Sequence, residues 1–267
     1  MTTAPDLWPD LLDCLDLTPR DAGVYEGRSQ QLSYRRLFGG QLLAQFARAA
    51  ALAAPGKGLK SLHTQFLREG RTGEPVRYET EVPQEGRTFA AARIVARQEH
   101  GVVAVANASL HTWEEGPDRQ TADPAPALPG PERRVELPLL PWESRAVTDL
   151  DTEKSEPPAF ELWTRIPEAH RSLAPALLAY ATDLTPIGTA LRPVEGVTQP
   201  DSGRAFASAV TSHTVWFHRP VELGGWLLLR QHSPVAAHGR CFGRGDVLTE
   251  QGLLLASYAQ EALLRFL

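Results

Sequence analysis

The sequence predicts an α+β protein built as two similar units, each an antiparallel sheet wrapped around a buried helix. Three observations predict it: landmarks that recur at a fixed spacing, β-rich runs paired through turns that end in glycine, and one strongly apolar helical segment ahead of each set of runs. "FLR" (66–68), "GRTF" (86–89) and "HGVVAVANAS" (100–109) recur as "FHR" (217–219), "GRCF" (239–242) and "QGLLLASYAQ" (251–260). Phe66 and Phe217 stand 151 residues apart, Gly86 and Gly239 153, and Gly101 and Gly252 151. A period that holds to within two residues across three landmarks is the mark of a duplicated unit.

Taken in order, "DLWPDLLDCLDLTPRDAGVYEG" (6–27) supplies an opening helix and strand. "YRRLFGGQLLAQFARAAALAA" (34–54) is the first helical segment and "HRSLAPALLAYATDLTPIGTAL" (170–191) the second; they share the cores "LLAQFA" and "LLAYAT". Both are apolar on most faces, so each should be buried. The runs around "QEHG" (98–101) and "TEQG" (249–252) read as hairpins, the glycine supplying the positive φ of the turn. "TADPAPALPGPERR" (121–134) is dense in proline and polar residues and reads as a linker. The expected division is a unit over 1–120, a linker over 121–134 and a second unit over 135–267, whose stretch 135–169 holds a first strand and a polar loop. The last strand of each unit is expected at an open edge, which association into a homo-oligomer would cover.

Composition narrows the function classes. The 267 residues are 42% hydrophobic and 22% charged, with net charge −5, an ordinary globular balance. Only three lysines occur (Lys57, Lys60, Lys154) and no basic stripe stands out, which argues against a nucleic-acid partner. The N-terminus lacks a basic start followed by an apolar run, and no stretch nears the eighteen or so apolar residues of a spanning helix; a cytoplasmic protein without a membrane partner is expected. Cys14 and Cys241 offer no metal-ligand spacing and are expected to be reduced. Phosphate-loop, HExxH, CxxC and GxSxG patterns are absent, so neither a metal nor another cofactor is expected.

Four places could carry chemistry. Asp183 lies inside the apolar segment "LLAYATDLTP", where a carboxylate has poor helix propensity and a desolvation cost. Gln260, near the end of the last run, shares a face with Tyr258 and Ala256 by alternation; if it converged on Asp183, the two could hold and polarise a water. "FGGQ" (38–41) puts Gly39 and Gly40 at a helix start, either to bare N–H groups for an acyl carbonyl or phosphate or to permit close packing. "SAVTSHTVWFHRP" (208–220) carries several hydroxyls; strict alternation puts Ser208, Val210, Ser212 and Thr214 on one face and Thr211, His213 and Val215 on the other. His213 and His218 have no companion Ser/Asp pattern and read as structural.

These segments, above all "HTVWFHRPVELGGWLLL" and "GRCFGRGDVLTEQGLLLASYAQEALLR" with "LFGGQLLAQ", "LHTQFLREG" and "YATDL", resemble the acyl-CoA thioesterase II (TesB-like) family along nearly the whole chain. The resemblance implies a double hotdog fold and hydrolysis of fatty acyl-CoA to free fatty acid and CoA by a water that an Asp, a Thr or Ser, and a Gln orient. By position the Asp is Asp183 and the Gln is Gln260. The hydroxyl position, three residues before the histidine, holds Val210 here, so Ser212 and Thr211 are the hydroxyls expected to substitute. The glycine pair Gly39 and Gly40 is expected to bind the substrate carbonyl. Val210 also leaves open a catalytically weakened acyl-CoA-binding or regulatory protein on the same fold.

Overall fold

The computed structural model describes residues 7–32 and 36–267. The start of the first expected helix, at 34–35, lies outside them. The described residues pack as two units: those up to 117 with 138–141 and 169–181, and residues 118–137 with 142–168 and 182–267. The proline-rich segment 121–134 thus packs with the second unit.

In the first unit α1 (Leu7–Cys14) precedes β1 (Thr18–Asp21) and β2 (Val24–Gly27), and α2 (Gly39–Ala53) precedes β3 (Gly58–Phe66), β4 (Val76–Glu85), β5 (Phe89–Gln98) and β6 (Gly101–His111). The strands run in the order β1-β2-β4-β5-β6-β3, each neighbouring pair antiparallel. Helix α2 is buried along most of its length, with Leu43, Phe46, Ala49 and Ala50 fully inside, and packs on β3 to β6. Beside it lies α3 (Ala174–Ala181), likewise buried nearly throughout.

In the second unit β7 (Arg134–Val135), β8 (Glu143–Arg145) and β9 (Ala159–Arg165) lead to α4 (Pro186–Leu191), followed by β10 (Phe206–Phe217), β11 (Leu227–Ala237), β12 (Arg240–Thr249) and β13 (Leu254–Phe266). The order is β10-β13-β12-β11-β9-β8-β7, and α4 packs on β9, β11, β12 and β13. Both expected hairpins form, with Gly101 at φ 124° and Gly252 at φ 79°.

Three expectations change. The second helical segment is not continuous: α3 stops at Ala181 and α4 starts at Pro186. A proline here has no N–H for the carbonyl four residues back, and its ring would strike that carbonyl, at Thr182. The helix therefore opens over 182–185 and restarts with proline at its first position. Secondly, β6 and β13 are interior strands, since β6 lies between β5 and β3 and β13 between β10 and β12.

Thirdly, strict alternation fails in β10. Val210 pairs with Ala262 and Ser212 with Glu261, so Thr211 is an extra, bulged residue. Buried positions accordingly switch from even, at Phe206, to odd, at His213, Val215 and Phe217. Ser212 therefore leaves the face of Val210, while Ser212 and His213 stay on opposite faces as expected.

Candidate active site

The break after α3 places Asp183 in the interior of the second unit, 4% exposed. Opposite it, β13 carries Gln260 (2% exposed) on the face it shares with Ala256, Tyr258 and Ala262. Across the ladder Gln260 is the partner of His213, which is fully buried. The carboxamide nitrogen of Gln260 donates to Oδ1 of Asp183 (2.9 Å) and to its backbone carbonyl (3.1 Å), and lies 3.2 Å from Nδ1 of His213. On the other side of the ring, Nε2 of His213 is 3.0 Å from the hydroxyl of Thr182.

These contacts assign the protons. A carboxamide nitrogen only donates, so Nδ1 of His213 accepts and the ring proton sits on Nε2, donated to Thr182 Oγ1. Burial agrees, since desolvation pushes the His213 pKa down to about 3 and keeps the ring neutral. Although Nδ1 is 3.7 Å from Oδ1 of Asp183, this is not an ion pair; the Gln260 amide bridges the two groups. Held by its nitrogen, Gln260 keeps its carbonyl oxygen buried with no partner.

Beneath His213 the ring of Tyr258 lies nearly parallel (9°), centroids 6.0 Å apart. Room for it comes from Gly245, where a Cβ would fall 2.6 Å from the Tyr258 ring and hydroxyl. That hydroxyl donates to Gln231 (2.6 Å), whose amide nitrogen donates to Thr189 Oγ1 (2.7 Å), which in turn donates to the carbonyl of Thr185 (3.0 Å). The polar groups under the site are thereby tied back to the first turn of α4.

Of the residues expected from the sequence, Asp183 and Gln260 come together. Thr211 donates its hydroxyl to the carbonyl of Glu261 (3.0 Å), and Ser212 stands opposite Glu261. In the first unit, Gly40 leaves space for the Tyr180 carbonyl: a Cβ there would be 2.7 Å from that oxygen and 2.5 Å from the Phe38 ring. Glycine at 40 is thus required by the packing of α2 against α3. His218 bonds Ser257 (3.0 Å), and Arg219 bonds Asp118 and the Leu254 carbonyl, all inside the second unit. Both thiols are free and buried, and burial pushes Cys14 up to about 12 and Cys241 to about 11, leaving them as unreactive core groups. No cluster of three or more metal-ligating side chains occurs among the described residues, and none of their helices is long and apolar enough to cross a membrane.

The sequence reading did not give His213 or Thr182 a part in the site. The signal for His213 was its place directly across from Gln260, legible only once the bulge sets the register.

The N-terminal domain of acyl-CoA thioesterases matches residues 29–111, and the C-terminal domain of the same family matches residues 113–264. The chain belongs to the acyl-CoA thioesterase family. Among its relatives, acyl-CoA thioesterase 2 of Haemophilus influenzae is 30% identical over 98% of this chain and 99% of that protein. Human acyl-coenzyme A thioesterase 8 is 26% identical over 94% of this chain and 87% of that one. Among solved structures, acyl-CoA thioesterase II TesB2 from Mycobacterium marinum superposes with a TM-score of 0.80 at 29% identity, covering 96% of this chain and 98% of the other. A tesB protein of Mycobacterium avium subs paratuberculosis gives 0.81 at 29% identity, over 96% and 99%. The fold is the double hotdog of this TesB-like family, the first hotdog helix being α2 and the second broken at Pro186.

Proposed function

We propose that this family member hydrolyses fatty acyl-CoA to free fatty acid and CoA, with Asp183 and Gln260 at the chemistry. The observation that carries the reading is a buried carboxylate bonded at 2.9 Å by a carboxamide whose own oxygen is left unpartnered in the interior. Such an oxygen is an acceptor waiting for a hydrogen. A water that gives one hydrogen to Gln260 Oε1 and the other to the Asp183 carboxylate is fixed and made nucleophilic. Its oxygen adds to the thioester carbonyl while Asp183 takes the proton. Collapse of the tetrahedral adduct breaks the C–S bond, and the proton passes from Asp183 to the departing CoA sulfur. His213 stays neutral throughout and keeps the Gln260 amide from rotating.

Gly39 and Gly40 belong to the same proposal as substrate-binding residues, because the first turn of a helix has N–H groups without intrahelical acceptors, as a thioester oxygen requires. Thr211 and Ser212 take a supporting place in the strand beside His213. The expected tandem division, with a unit on each side of 121–134, is kept as a duplication of one hotdog unit. Cytoplasmic residence and a homo-oligomeric state complete the reading; exposed large side chains such as Trp113 and Trp216 support association, and sedimentation equilibrium measures it.

The decisive experiment follows release of CoA thiol from short-, medium- and long-chain acyl-CoAs by native protein and by Asp183→Asn. The expected result is turnover on part of the panel and a loss of about 10²- to 10⁴-fold in kcat in the variant. Ligand-induced stabilisation without turnover would make the chain an acyl-CoA-binding protein instead.

A further inference from the structure

Among the described residues of the second unit, three buried side-chain atoms lack a hydrogen-bond partner: Gln260 Oε1, Gln199 Oε1 and Thr185 Oγ1. All three gather on the break between α3 and α4. Gln260 donates to Asp183, Gln199 donates to the Leu184 carbonyl (3.5 Å), and Thr185 closes the segment. The other buried threonines of this unit have engaged hydroxyls: Thr164 with Trp142 and Ser144, Thr182 with His213, and Thr189 with Gln231 and the Thr185 carbonyl. Thr185 is the exception, fully buried and two residues from Asp183.

The fold has no task for that hydroxyl. Thr185 occupies the N-cap of α4, yet its side chain makes no capping bond. The helix is begun instead by its main-chain carbonyl, which accepts from Thr189 N (2.9 Å). A buried hydroxyl without a partner weakens the fold, and a methyl group of the same shape would not. Its presence two residues from a buried carboxylate therefore calls for a polar molecule that arrives later.

Resting on the hydrolase reading above, we infer that Thr185 supplies the hydroxyl that holds the attacking water. The water has two hydrogens and two lone pairs. Asp183 and Gln260 Oε1 take the hydrogens, and the Thr185 O–H fixes one lone pair. The remaining lone pair is free to form the C–O bond of the tetrahedral adduct as Asp183 takes a proton, and that proton passes to sulfur when the adduct collapses and the C–S bond breaks.

The test compares the full-length native protein with Thr185→Val, Thr185→Ser and Asp183→Asn, by CoA-thiol release and thermal melting. Thr185→Val should lose about 10²-fold in kcat with KM little changed, while its Tm stays level or rises. Thr185→Ser, which keeps the hydroxyl, should retain kcat to within about fivefold. A Thr185→Val protein with near-native kcat, beside an inactive Asp183→Asn, overturns the role of Thr185 and leaves the hydrolase reading standing. Loss of activity with a lowered Tm in both Thr185 variants makes the residue structural and overturns it too. Full activity in Asp183→Asn, or no turnover by folded native protein, overturns the hydrolase reading itself and the inference with it.

Discussion

The two units use one backbone plan and fill it differently. In the first, Leu62 of β3 pairs with Ala108 of β6; at the same places in the second, His213 of β10 pairs with Gln260 of β13. Two residues along, the pair Ile94 and Ala106 becomes Gly245 and Tyr258, the bulk moving from one strand to its neighbour. On the helical segment, aligning "LLAQFA" with "LLAYAT" puts Asp183 where the first unit has Arg48. Even the irregularity is repeated: β3 carries its bulge at Lys60 and β10 carries the matching one at Thr211. The backbone plan is shared; a few inward side chains distinguish the two units.

The sharpest way to break this contrast is to write the first unit's pair into the second. His213→Leu with Gln260→Ala removes the amide that bonds Asp183 and the ring that holds the amide. A loss of about 10³-fold or more in kcat is expected, measured by thiol release. Next in size is Gly245→Ala, whose new Cβ would stand 2.6 Å from Tyr258 and 2.7 Å from the Arg230 carbonyl. Overpacking there should cost about 1–3 kcal/mol in denaturant unfolding and displace the ring under His213, so kcat falls as well. An unchanged melting point would show that the sheet relaxes around the added methyl.

A subtler difference lies in pH. His213 is neutral in the folded protein down to about pH 3, whereas in the unfolded chain it titrates near 6.5. Below pH 6.5 the unfolded state therefore binds the extra proton, and this group's contribution lowers stability by about 1.4 kcal/mol per pH unit until the folded pKa is reached. Above 6.5 it contributes no slope. Unfolding free energies of native protein and His213→Gln between pH 4 and 8 should diverge in that sense, the variant showing the flatter curve. The smallest effects belong to the bulge: Thr211→Val gives up one hydrogen bond, about 1 kcal/mol, and Ser212→Ala less, with kcat changed by no more than about threefold in either. A larger loss in either variant would return the hydroxyl role to the strand.

Much of this contrast was legible in the sequence. The duplication and both glycine turns follow from spacing and alternation, and the cost of placing a carboxylate in an apolar segment singles out Asp183; its pairing with Gln260 was implied by the family resemblance. What alternation could not reveal was the bulge, because Thr211 has no glycine or proline to announce it and fits a regular strand equally well. That single residue moved Ser212 off the face of Val210, whereas His213 kept the face of Val215 and was set aside because no Ser/Asp pattern accompanies it. Pro186 was visible, but the apolar pattern continued on both sides of it, and periodicity alone does not weigh a missing N–H against a continuous stripe. For Gly40 the sequence left two cases open, and only the nearby Tyr180 carbonyl reveals the packing demand.

The opened helix has one more consequence. The carbonyls it releases at 183 and 184 are taken by side chains from outside the segment, Gln260 and Gln199, while that of 185 holds the main-chain N–H and the hydroxyl of Thr189 in α4. A gap in the helical ladder is thus stitched shut from outside, and the segment bearing the carboxylate is already rigid before any substrate arrives. Such preorganisation spares turnover an entropic ordering step and leaves little local reorganisation for the moment of reaction. Order parameters at 183–185 should be those of the sheet, and acyl-CoA should leave them unchanged.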